Sequence, residues 1–253
     1  MQNHPRCVES LFGHLLLKVF CMKLPAMLTL HHLNNSRSQR VLWIIEELEL
    51  KYEIRRYERD PQTLRAPAAL AHVHPLGKSP VLEDSQDGRR EVVAESGAIL
   101  EYVVDKYGQG RLRPKEGTPE FLKYRFWMHF AEGSMMSPLL VRLIMDQVEK
   151  APLPFFVKPI AKKISQAVKE RASTPEITRQ LDFVESELQK TPWLAGEAFT
   201  AADIQMSFPL EAAQARGLLG SRRAIAGYLD QLRMRPAYQR ALKAGGSYDL
   251  NYG

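Results

Sequence analysis

The chain has 253 residues, 45% of them hydrophobic, and 35 Lys and Arg against 29 Asp and Glu give it a formal charge of +6 and a pI near 9.3. That is enough apolar material for a full core. The basic residues are spread through helical patterns with no nucleic-acid-binding motif or aromatic interleaving, so no nucleic acid partner is expected and a positive field drawing in small anions is the plainer reading.

Cys7 and Cys21 are the two cysteines, which excludes a CxxC redox pair, a cysteine zinc cluster and a disulfide framework, and leaves any thiol chemistry to a bound ligand. No apolar run approaches the roughly 18 residues of a membrane-spanning helix. Leu15-Leu16-Leu17 and Val19-Phe20 are interrupted by Lys18 and flanked by His14 and Lys23, and no small-residue cleavage site follows. Residues 1–26 therefore read as a disordered or loosely helical extension, or as sequence upstream of a working start at Met27, rather than as a signal peptide.

In chain order, Leu28 to His32 reads as a strand and Arg37 to Leu50 as a helix with Val41, Ile45 and Leu48 on one face. A second strand is expected at Tyr52–Tyr57, a short helix near Ala66–Ala71, and strands at Pro80–Glu83 and Glu91–Ala94 around a turn at Asp87-Gly88. A helix then starts near Glu95 and carries Ile99, Leu100, Val103, Val104 and Tyr107 on its apolar face. The order βαβ, short helix, ββα makes an α/β layer over residues 27–107. Gly108, Gly110, Pro114, Gly117 and Pro119 mark 108–119 as a linker. Residues 120–253 read as all-helical, with helices over about 120–149, 156–171, 176–190, 201–216 and 222–243, the last broken at Pro236.

Three short motifs carry chemistry. Pro80, after Gly77-Lys78-Ser79, removes a donor and tolerates a cis bond, leaving the Ser79 backbone open to a ligand. Glu95-Ser96 stands where a strand gives way to a helix, so Ser96 and its neighbouring N–H groups form an anion site while Glu95 takes an ammonium group. Together they describe a holder for a small zwitterionic peptide. At the first helix, Ser36-Arg37-Ser38-Gln39 is a capping-box sequence in which the Ser36 oxygen accepts from the N–H near Gln39. A second box, Thr200 with Asp203, has Phe199 placed to staple onto Ile204.

These residues, with Leu30-His31-His32, His74-Pro75-Leu76-Gly77 and the run from Ala201 to Leu210, resemble the glutathione transferases, and most of all bacterial homologues of the fungal membrane-associated subgroup. The resemblance implies a thioredoxin-like N-terminal domain and an all-α C-terminal domain. It implies an enzyme that conjugates the glutathione thiolate to a small hydrophobic electrophile and also reduces hydroperoxides. A glutathione-dependent disulfide reductase, or a binding or regulatory module on the same fold, are the alternatives. In this family Ser79 and Pro80 pair with the glutathione backbone, Glu95 and Ser96 hold its γ-glutamyl end, and Lys78, with help from Arg65, meets its glycine carboxylate. The thiolate takes a hydrogen bond from a residue at the first strand-to-helix turn, where Ser36, Asn35 and Asn34 are the candidates and neither tyrosine nor cysteine is available. The electrophile pocket is expected along the stripe Tyr124, Trp127, Phe130, Ser134 and Met135. Glutathione is the cosubstrate and no cofactor is expected. Nor is a metal, since His31 and His32 sit on successive strand positions and face opposite ways, and no carboxylate pattern joins them or His72 and His74. A cytoplasmic homodimer is implied. The proline-bounded segment Phe155-Phe156 with Lys162-Lys163 reads as a helix connection, touching membranes at most peripherally.

Overall fold

A computed structural model describes residues 28–60, 63, 65–85, 88–246 and 248–250; the expected extension at 1–26 lies outside the described residues. The chain opens with β1 (Leu28–Leu33), α1 (Ser38–Glu47), β2 (Tyr52–Tyr57), a 3-10 turn (Ala68–His72), β3 (Val81–Asp84), β4 (Glu91–Ala94) and α2 (Ser96–Tyr107). The sheet runs β2-β1-β3-β4, with β1 and β2 parallel and the other pairings antiparallel. β1 is buried along its whole length, as a leucine-bearing central strand demands. Val41, Leu42, Ile44 and Ile45 of α1 and Ile99, Leu100 and Val103 of α2 are fully buried in the same core. This is a thioredoxin-like layer.

The helical part contains α3 (Pro119–Phe130), α4 (Met136–Lys150), α5 (Lys158–Val168), α6 (Thr174–Leu188), α7 (Ala201–Ala215), α8 (Arg223–Arg233) and α9 (Pro236–Gly245). The expected single helix over 120–149 is interrupted by a π turn at Ala131–Met135, and a second π turn at Lys169–Ser173 joins α5 to α6. Pro138 and Pro175 lie within one turn beyond these two sites. A proline cannot donate to the carbonyl four residues back, so the ladder loosens just ahead of it.

Every residue of α7 from Ala201 to Ala213 is buried, which makes it the axis around which the other helices pack. Its start is held by Asp203, whose carboxylate accepts from Thr200 N–H at 2.8 Å, Thr200 Oγ1 at 3.0 Å, Leu194 N–H at 3.0 Å and Tyr228 Oη at 2.9 Å. Phe199 packs against Trp43 and Trp193, with the Arg235 guanidinium 3.7 Å from its ring centre. α9 runs along α1, and Gly245 comes so close that a Cβ there would meet Gln39 Oε1 at 2.7 Å and Leu42 Cδ1 at 2.9 Å. On α5 the small residue Ser165 is buried while Ile160 and Ile164, with Phe155 and Phe156 before them, are exposed. Among the described residues no helix is long and apolar enough to cross a membrane.

Candidate functional site

The turn between β1 and α1 is set by Asn35, which sits in the left-handed region at φ +47°. Arg37 is already helical (φ −59°, ψ −14°), so Ser36 stands one residue too far out to cap. The expected box is therefore absent. Gln39 N–H bonds to the Ser36 carbonyl at 3.2 Å. The Ser36 hydroxyl donates to Leu33 O at 2.8 Å, accepts from Ser38 N–H at 3.2 Å and lies 2.7 Å from Ser38 Oγ. Ser36 is thus buried and turned toward the β1 end. Asn34 Oδ1 accepts from Arg59 N–H at 3.0 Å, and Asn35 Oδ1 accepts from Asp249 N–H at 2.7 Å.

Beside this turn lies a cavity of about 310 Å³ whose wall includes Arg37, Lys78, Ser79, Glu95, Ser96 and Glu132. The Ser79–Pro80 peptide is cis, and Ser79 Oγ donates to His31 O at 2.9 Å, which ties this loop to β1. Glu95 precedes α2 at φ +70°, an unusual conformation for a residue with a Cβ and one that marks a backbone shaped by its surroundings. Lys78 is exposed at the rim. Arg65 is exposed too, and it is not on the cavity wall.

An ion network that sequence reasoning missed underlies the cavity. Arg40, fully buried on α1, donates to Ser96 Oγ at 2.6 Å, to Gln205 O at 2.7 Å and to Glu132 Oε1 at 2.5 Å. Arg37 Nε donates to both Glu132 oxygens, at 2.9 and 3.1 Å. Burial alone would raise the Glu132 carboxyl, but the Arg40 and Arg37 guanidinium groups hold it below its ordinary range. The spacing of Arg37 and Arg40 on one helix face was a local signal; their partner, more than 90 residues away, was not.

The cavity adjoins an apolar cleft of about 80 Å³ between Met136, Leu139, Leu140, Leu143, Phe208 and Leu250, with Arg37 and Arg216 at its edges. Arg37 and Leu140 line both spaces. The expected stripe is elsewhere. Tyr124 stacks on Phe121, Trp127 and Phe130 pack with Phe126 and Phe183 in an aromatic cluster between α3 and α6, and none of the three expected aromatics, nor Ser134, lines the cleft. Glu132 of the π turn and Met136, Leu139, Leu140 and Leu143 of α4 line these two spaces in place of α3. Leu250 is held over the cleft by Arg216 Nη1, which donates to its carbonyl at 3.2 Å, and by Tyr248, whose hydroxyl donates to the buried Glu211 at 2.8 Å. A wider cavity of about 760 Å³ between the linker and the loop ahead of α7 shares none of the polar cavity's residues.

His31 and His32 do face opposite ways. His31 lies between Tyr57 Oη at 2.9 Å and Glu83 Oε1 at 2.8 Å, while His32 Nδ1 is 2.9 Å from Ser38 Oγ. Burial lowers both imidazoles, His32 to about 4. Two hydrogen bonds from Arg90 and one shared with His31 hold the Glu83 carboxyl down at about 2. No group of three His, Cys, Asp or Glu side chains among the described residues is placed to hold a metal.

Comparison with known proteins agrees with this geometry. Residues 25–105 match the glutathione S-transferase N-terminal domain and residues 144–235 the C-terminal domain of the same family. The chain is 41% identical over 188 residues to glutathione S-transferase 3 of Schizosaccharomyces pombe, covering 74% of this chain and 75% of that protein. It is 36% identical over 195 residues to glutathione S-transferase 1 of Saccharomyces cerevisiae, covering 76% and 82%. Among solved structures, a glutathione S-transferase from Actinobacillus pleuropneumoniae superposes with TM-score 0.73 at 31% identity, over 90% of this chain and 97% of that one. The glutathione transferase URE2P6 from Phanerochaete chrysosporium, in complex with oxidised glutathione, superposes with TM-score 0.66 at 25% identity, over 87% and 96%. With the family's two domains matched in order and relatives alike over three quarters of the chain, the protein belongs to the glutathione S-transferase family.

Proposed function

We propose that this protein conjugates glutathione to small hydrophobic electrophiles in the cytoplasm, where the glutathione pool is reduced. One observation carries the reading: a polar cavity bearing Ser79 beside a cis-proline, Glu95 and Ser96 at a helix start, and Lys78 at its rim shares Arg37 and Leu140 as wall residues with an apolar cleft. In this reading the Ser79 backbone pairs with the peptide, Glu95 takes the ammonium group, Ser96 and the α2 N-terminus take the γ-glutamyl carboxylate, and Lys78 faces the glycine carboxylate. The thiol end then lies toward the first turn of α1. A free cysteine thiol is only a few per cent ionised at neutral pH, and lowering its pKa by about two units takes about 2.7 kcal/mol of preference for the thiolate. In the conjugation of chlorodinitrobenzene the thiolate sulfur bonds to the ring carbon, the carbon–chlorine bond breaks and chloride leaves with the electron pair, the thiol proton having gone to solvent.

Titration calorimetry with glutathione, followed by assays with chlorodinitrobenzene, an organic hydroperoxide and a glutathione mixed disulfide, tests the proposal. Binding with turnover of the aromatic halide is expected. Binding with turnover of the mixed disulfide alone would replace conjugation by disulfide reduction, and an absence of binding would leave a non-catalytic module on this fold. A homodimer belongs to the same reading, and light scattering in solution decides it.

A further inference from the structure

We infer that Arg37 is the group that stabilises the glutathione thiolate, with Glu132 as its positioning residue. The inference rests on the proposed binding of glutathione in the polar cavity. If the peptide lies there and the electrophile in the apolar cleft, the sulfur must stand where the two spaces join, because that is where it forms the new bond. Arg37 and Leu140 line both spaces, and of the two only Arg37 carries a hydrogen-bond donor. Lys78, Glu95 and Ser96 line the polar cavity alone, and Arg216, whose Nη1 donates to the Ala212 and Leu250 carbonyls, lines the cleft alone.

The turn residues ahead of Arg37 are committed elsewhere. The Ser36 proton goes to the Leu33 carbonyl, and none of Asn34, Asn35 and Ser36 is on the wall of either space.

The Arg37 side chain suits the role. It is 37% exposed and its guanidinium carbon lies 5.1 Å from the centre of the Phe208 ring, at the cleft. Its bonds to Glu132 leave from Nε, and its two terminal amino groups make no hydrogen bond among the described residues. Glu132 takes up one of two positive charges, those of Arg37 and buried Arg40, so the trio is a net cation. A guanidinium keeps its charge throughout the range in which a thiol titrates, and a cation within contact distance favours thiolate over thiol. The other ionisable groups on the polar cavity wall are His74, Lys78 and Glu95. Phe208 and Glu132 restrict the guanidinium, so little is lost in fixing it when the ligand arrives.

The test is the ultraviolet thiolate absorbance of bound glutathione against pH in the full chain and in Arg37→Met, Arg37→Gln, Arg37→Lys, Glu132→Gln and Ser36→Ala. Circular dichroism checks the fold, and calorimetry with S-methylglutathione reads binding without the thiol. Both neutral Arg37 variants are expected to raise the bound thiol's pKa by about one unit, a roughly tenfold smaller thiolate fraction at neutral pH, with S-methylglutathione binding nearly unchanged. Arg37→Lys restores most of the shift, and Glu132→Gln moves the pKa by less than the loss of Arg37, because the lost positioning of the guanidinium and the lost negative charge act in opposite directions. An unchanged thiol pKa in both folded neutral variants overturns the assignment while leaving glutathione binding intact, and so does a shift that appears in Ser36→Ala instead. A wild-type chain that binds no glutathione overturns the functional reading itself, and the assignment with it.

Discussion

Acid should loosen this protein well above the range in which carboxylates titrate, through His32. The imidazole is buried between β1 and the end of α9, with Ser38 Oγ at 2.9 Å, and burial lowers its pKa from 6.5 to about 4. In the unfolded chain the ring takes a proton as pH falls through 6.5, whereas the folded chain refuses it until about 4. Stability is therefore whole above pH 6.5, is lost progressively as pH falls from 6.5 to 4, and changes no further through this group below that. The full 2.5-unit gap corresponds to about 3.4 kcal/mol, and the part lost between pH 7 and pH 5 to about 1.8 kcal/mol. For a chain of this size that is a fall in Tm of about 4–7 °C. The control is His32→Asn, which keeps a polar atom near the position of Nδ1 and removes the titration. Thermal melts of both proteins at pH 7 and pH 5 should show the wild type losing more than the variant by that amount. His31 is lowered in the same direction but is present in both proteins and cancels. Parallel losses in the two proteins would refute the reasoning.

Asp203→Ala strands two backbone N–H groups and two hydroxyls at the buried start of α7, and should cost about 4 kcal/mol, read as a Tm lower by about 8–16 °C; a loss under about 1 kcal/mol would show that the cap is dispensable. Gly245→Ala forces a methyl group against Gln39 and Leu42 and should destabilise by about 1–3 kcal/mol. Gly227→Ala, in α8 with open space around it, should be neutral or stabilise by up to about 1 kcal/mol, so equal effects in the two glycine variants on denaturation would contradict the packing argument. Lys78→Ala should weaken glutathione about fivefold by calorimetry, the worth of one exposed ion pair, with the difference shrinking as salt is added.

What could be read from the sequence was whatever local pattern determines. The strands Tyr52–Tyr57 and Glu91–Ala94 lie where the alternation of side chains and the flanking turns put them, and α2 begins at Ser96 directly after a strand, as Glu95-Ser96 implied. Ser36 shows where that reasoning stopped. A capping box is a statement about dihedral angles as much as about residue types, and the left-handed Asn35 with a helical Arg37 moves the helix start past the residue that matched the pattern. The stripe at Tyr124, Trp127 and Phe130 was correctly apolar, but periodicity names a buried face without saying what buries it, and Phe183 covers Trp127 and Phe130 instead of a ligand. The pairs Arg40–Glu132 and Arg37–Glu132 join residues that no local rule connects, so the most polar part of the site was visible only after folding.

Arg40 has a consequence for how the two halves relate. A guanidinium with 1% exposure belongs to the thioredoxin-like half, yet its countercharge, Glu132, and one of its carbonyl acceptors, Gln205, come from the helical half. In the assembled fold, each half therefore supplies one member of a pair that only the other can neutralise. Removing Glu132 from the assembled fold costs about 1–3 kcal/mol, less than for a fully buried pair because its carboxylate is one-third exposed. The hydroxyl of Ser96, on the polar cavity wall, accepts from that same arginine. Docking of the two halves and the placing of Ser96 on the cavity wall are therefore linked through one side chain.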